Sequence, residues 1–182
     1  MIESRAAAAG LPPNPHGHGL ATVGIVMCVI AGVLVLCRLS TRIFMANAIG
    51  WDDYTLVVSV VLAVGMTICF QMEVFYGMGL HTADVKNAEY MVLAMTWLWA
   101  AQLLYKFANA MTKISIALLY LRIFPSKRFR ITVFAFITFV VAYCTSAAFT
   151  SIFQCSPIEK AWKKSIDGHC IDIGIVWFVN SR

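Results

Sequence analysis

The sequence predicts an all-α protein, a polytopic bundle of transmembrane helices, and three observations carry that reading. Hydrophobic residues make up 60% of the 182 and charged residues only 13%, with a mean hydropathy of +0.79. A soluble domain carries about 25% charged residues. The charges gather between long apolar runs instead of alternating with them, so the runs have no wet face. Each of the first four runs is long enough to cross a hydrocarbon core of ~30 Å at ~1.5 Å per helical residue.

The formal net charge of +5 and the pI near 9.0 do not indicate nucleic-acid binding. The basic residues lie at the ends of apolar runs, where anionic lipid headgroups are the natural counter-charge.

Residues 1–19, with Ala6–Ala9, three prolines, three glycines, His16 and His18, read as a disordered N-terminal tail. The first span is 20–44. It lacks a preceding basic region and a small-residue cleavage site, so it is a membrane helix and not a signal peptide. The second, 53–76, is introduced by Trp51, Asp52 and Asp53. Trp51 suits the interfacial belt, and either aspartate suits the helix N-terminus or a pairing with Arg38 or Arg42 on the same face. Gly77, Gly79 and His81 mark the turn that follows, with glycine supplying backbone freedom. The third segment, 90–124, is too long for one crossing, so it tilts or projects, and Pro125 ends it. A basic loop of Arg122, Lys127, Arg128 and Arg130 leads into the fourth span, 131–153. This loop suits anionic lipid or a cytosolic signalling partner. A truncated fifth segment occupies 172–182.

Six cysteines fall into two groups. Cys28, Cys37, Cys69 and Cys144 lie in apolar runs and read as packing residues. Cys155 and Cys170 bound a polar loop, and a disulfide there is favoured over two free thiols. His169 is the only histidine nearby, too few ligands for a zinc site. The basic residues divide almost evenly between the two faces of the membrane, and the disulfide places its own loop, and with it the N-terminus, on the non-cytoplasmic side.

Within the third segment Gln102, Lys106, Asn109, Lys113 and Tyr120 recur at helical spacing and fall on one face. Ionisable groups at bilayer depth need a partner, a wet cavity or a function. If the hydrocarbon ends near Arg122, Lys106 lies close to the outer edge and snorkels, and Lys113 lies deep and needs an interior partner. Glu73 is then a counter-ion for Lys106 if the second and third helices are neighbours, but it lies too near the other face to serve Lys113. A site for an unknown ligand or ion is the sharper reading of the same stripe.

Several stretches, in order, carry a family likeness. They are Gly50-Trp51-Asp52-Asp53, the turn from Tyr76 to His81, Thr112-Lys113-Ile114-Ser115 running on to Pro125, and the loop from Phe153 through Trp162 to Cys170. Together they resemble the fungal rhodopsin-domain family of integral membrane proteins. The resemblance implies a seven-helix, rhodopsin-like architecture with an external N-terminus. Residues 20–182 would form a partial domain of it, with four full spans and the truncated fifth. It implies a receptor-like, non-enzymatic protein with no retinal or other cofactor. A transporter or channel component using the stripe is the alternative. A membrane-embedded hydrolase is disfavoured, because all four histidines fall in the tail or loops and no Gly-x-Ser-x-Gly elbow occurs. Oligomeric state is not indicated.

Overall fold

The computed structural model describes residues 15–46, 50–78, 88–124, 126–163 and 166–170. Four long helices dominate: α1 (Pro15–Thr41), α2 (Trp51–Phe75), α3 (Ala88–Ile123) and α4 (Lys127–Ile152). All four are long and apolar enough to cross a membrane. A π-helical turn, Arg42–Ala46, extends α1. After α4 come β1 (Cys155–Ser156), a short 3-10 turn (Ile158–Ala161) and β2 (His169–Cys170). The two strands pair antiparallel, with Cys155 opposite Cys170, and a disulfide joins them. The fifth segment expected at 172–182, Gly79 and His81 lie outside the described residues.

Three boundaries move relative to the sequence reading. α1 begins at Pro15, so residues 15–19 belong to the first helix and not to the tail. Proline is well placed at a first helical position, where its missing N–H has no partner to lose. α2 begins at Trp51. α4 begins at Lys127, so Lys127, Arg128 and Arg130 lie on its first turn and the basic loop shrinks to the break between the end of α3 at Ile123 and Lys127. Ser126, extended at φ −65° and ψ 139°, is enough to restart the chain.

The helices follow one another up and down, α1 beside α2, α2 beside α3, α3 beside α4. Small residues make the close contacts. Ala94, Ala101 and Ser115 on α3, and Ala110 with Ala117, recur at multiples of a heptad and are buried, as are Ala147 and Ala148 on α4. In a bilayer, where apolar burial gives no advantage over lipid, close backbone approach through such residues is what holds helices together. Ala110 meets Val140 and Cys144, with Ile114 packed against them. The outward faces are apolar: Leu20, Met27 and Leu34 of α1 are 62–65% exposed, and Ile131 and Phe139 of α4 are 70% and 68%. Surfaces of that kind belong against lipid.

Register between α2 and α3 is set by three pairs. Ser115 Oγ donates to the Asp52 carbonyl at 2.7 Å, Gly65 lies against Leu104, and the rings of Tyr76 and Tyr90 stack at 6.0 Å. The helices are therefore antiparallel. One end of the bundle carries the disulfide loop and the other carries the arginines. α3 does not stop level with α2: it runs on from Ser115 to Ile123, about 12 Å beyond the start of α2.

Candidate functional site

The arginine end is built around Asp52 and Asp53, which are 3% and 1% exposed. Gly50 precedes the helix with φ −115°, and its N–H donates to Asp53 Oδ2 at 3.1 Å. Gly50 is therefore the N-cap, and Asp53, at the third helical position, reaches back to its N–H, at the end where the helix dipole favours negative charge. Asp52 turns to the arginines. Arg38 Nη2 lies 2.9 Å from Asp52 Oδ2, Arg42 Nη2 3.8 Å from the same oxygen, and Arg122 Nη1 3.9 Å from Oδ1. Arg38 Nε also lies 3.5 Å from Asp53 Oδ1. One carboxylate pair therefore ties α1, α2 and α3 together. Shielded ion pairs contribute little net stability against an apolar replacement, but removing one partner strands the other and costs about 3–5 kcal/mol.

The stripe on α3 does not form one environment. Gln102, Lys106 and Asn109 are half-buried, whereas Lys113 and Tyr120 are exposed. By the α2–α3 register Lys106 stands opposite about Ala63, the middle of α2, and Lys113 opposite about Tyr54, roughly one turn from its start. The depths expected from sequence are thereby reversed. Lys106 is the lysine at mid-bundle, and Lys113 lies within a few ångströms of the arginine layer, where snorkelling is easy. The expectation of an interior partner for Lys113 is corrected, because the overhang of α3 moves every depth counted from Arg122.

Lys106 Nζ donates to the Ala147 carbonyl at 3.0 Å and to Ser151 Oγ. Its side chain leans toward the helix N-terminus, as helical side chains do, and meets α4 instead of headgroups. Trp99 Nε1 donates to the Ser151 carbonyl at 3.0 Å, and the Trp99 ring meets Trp162 edge-on at 5.7 Å. A polar seam thus runs from Lys106 through Ser151 to Trp99 and the disulfide loop. Ser151 and Trp162 are partners that the spacing on α3 alone does not reveal.

Glu73 is not the counter-ion of Lys106. The same register sets it opposite about Ala94, roughly 15 Å along the axis from the level of Lys106. It is 1% exposed, and among the described residues neither carboxylate oxygen has a hydrogen-bond partner. α2 ends at Phe75, and two residues on Gly77 has a φ of 100°, which favours glycine.

Trp51 is 81% exposed at the arginine end, as an interfacial ring should be. Arg122, Lys127, Arg128 and Arg130 are all exposed on the overhanging tip. Three cations on the first turn of α4 oppose the helix dipole, so they are not there to stabilise that helix. Among the described residues no three His, Cys, Asp or Glu side chains converge as metal ligands.

Four membrane-length helices, small-residue seams, a lipid-facing apolar exterior and a shielded ion cluster at one end define a polytopic helical membrane protein. The fungal rhodopsin domain matches residues 37–182. The chain belongs to the fungal rhodopsin domain family. A SAT4 family membrane protein from Emericella nidulans is 43% identical over 79 residues, which make up 42% of this chain and 21% of that relative. The matched stretch thus spans about a fifth of the relative's length. No solved structure matches.

Proposed function

We propose that this membrane protein is receptor-like and non-enzymatic, with its N-terminus and disulfide loop outside the cytosol and its arginine end inside. The observation that carries this reading is the cluster joining Arg38, Arg42 and Arg122 to Asp52. It links three helices at one end by contacts that a modest helix movement exchanges, which is what a two-state switch needs. The overhanging tip of α3 and α4, with its exposed cations, is the natural place for a cytosolic signalling partner.

A transporter reading needs a continuous polar path. The division of the stripe favours the receptor, because Lys106 is closed against α4 and Lys113 and Tyr120 face outward.

The reading is tested with purified protein in lipid vesicles. Spin labels at Thr41 and Ser126 report the separation of α1 from the tip, and Asp52→Asn is expected to shift wild type toward a second discrete distance. The vesicles should remain tight to ions and small solutes. Solute flux through the wild-type protein would overturn the receptor reading, as would a single unchanged distance.

A further inference from the structure

Helix α2 carries three buried carboxylates, and they are treated very differently. Asp52 and Asp53 share arginines at one end. Glu73, about 30 Å along the same helix at the disulfide end, is as deeply buried and meets no cation among the described residues. An isolated carboxylate in such surroundings is costly by several kcal/mol unless something positive or a proton joins it.

The rings nearby define what that something is. Tyr76 lies three residues on from Glu73, on the same face of α2. It stacks on Tyr90 at 6.0 Å and receives Phe75 edge-on at 5.3 Å. By the helix register the small Ala94, 6% exposed, stands opposite Glu73, and the buried Cys69 lies one turn back on the same face of α2. A buried carboxylate within one helical turn of an aromatic pair is a combination suited to an organic ammonium: the acid supplies charge, and a ring within about 6 Å of the cation supplies cation–π attraction. A bare metal ion would find too few oxygens here.

We propose that Glu73 anchors a binding site for an organic ammonium group between the disulfide ends of α2 and α3, with Tyr76 and Tyr90 as its aromatic wall. Entry requires those ends to part, which connects the site to the receptor-like reading. Binding itself does not depend on that reading.

The test uses the full chain in lipid nanodiscs with phenethylammonium as probe and phenethyl alcohol as its neutral counterpart. Two readouts are taken: thermal unfolding, and labelling of Glu73 by dicyclohexylcarbodiimide, which modifies protonated carboxyls in apolar surroundings and is located by mass spectrometry. Phenethylammonium should raise the unfolding temperature of wild type and not of Glu73→Gln. At roughly ten times its dissociation constant it should slow labelling about tenfold, and the alcohol should do neither. Labelling of wild type is decisive if the variant does not fold. Absence of both effects, or equal effects from the alcohol, overturns the proposal. So does an inert wild type whose Glu73 becomes reactive in Lys86→Met, since the chain's own lysine would then hold the carboxylate. Solute flux in vesicles is a separate measurement, so failure of the receptor reading is distinguishable from failure of the site.

Discussion

Ser115 Oγ donates to the backbone carbonyl of Asp52 at 2.7 Å, joining the C-terminal third of α3 to the first turn of α2. Ser115 is 1% exposed, so this bond is shielded from competition. It brings α3 against the residue around which three arginines gather, and it sets how far α3 overruns α2.

Removing the shared carboxylate should be the most damaging change at the arginine end. Asp52→Asn removes the carboxylate that Arg38, Arg42 and Arg122 share, and is expected to cost about 3 kcal/mol. Arg122→Gln should cost under about 1 kcal/mol, because its side chain is 39% exposed and its contact with Asp52 is the longest of the three at 3.9 Å. Denaturant titration in mild detergent gives the order, and equal losses would show that the cluster is not centred on Asp52.

The seam between α3 and α4 is suited to a double-mutant cycle. Ser151→Ala removes one acceptor of the Lys106 ammonium and should destabilise by about 1–2 kcal/mol. In a Lys106→Met background the same change should be almost silent, giving a coupling of ~1 kcal/mol. Lys113→Met should change stability by less than about 0.5 kcal/mol, since that lysine is exposed near the arginine layer. A larger effect at Lys113 than at Ser151 would reverse the depths assigned to the two lysines.

Gly50 is required for space. A Cβ there would overlap Asp52 Oδ1 and come within 3.2 Å of Arg122 Nη1. Gly50→Ala should therefore push the Asp52 carboxylate away and lower stability by about 1–2 kcal/mol. In Asp52→Asn the clash remains but the ion cluster is already broken, so the two losses should combine to less than their sum in thermal unfolding.

The disulfide closes a loop with a sequence separation of 15. Cys155→Ser with Cys170→Ser should cost about 3 kcal/mol by the chain-entropy argument. Trp99 emission should also shift to the red as Trp162 leaves its 5.7 Å contact. An unchanged spectrum would mean that the helices hold the loop without the covalent link.

The four spans and the disulfide were legible in the sequence, because apolar run length and a pair of loop cysteines are direct physical signals. Pairing of Asp52 with Arg38 and Arg42 follows from their shared membrane face. Arg122 as a third partner does not, since nothing in a 36-residue helix says which part lies in the bilayer. That same gap exchanged the depths of Lys106 and Lys113: no acidic residue occurs between Glu89 and Glu159 to mark an interface. The Glu73–Lys106 pairing failed for a related reason, as antiparallel register is a tertiary quantity set here by Ser115 and Gly65. Ser151 was hidden because one serine in an apolar helix carries no periodic signal.

The alanines along α3 have a mechanical meaning. Small side chains present a smooth surface, so adjoining helices pivot on them with little steric resistance. The α3–α4 hairpin continues about 12 Å past Ser115, which makes it a lever with its fulcrum beside Asp52. On the receptor-like reading proposed above, a slight rocking at that fulcrum would become a larger sweep of Lys127, Arg128 and Arg130, the exposed cations at the start of α4.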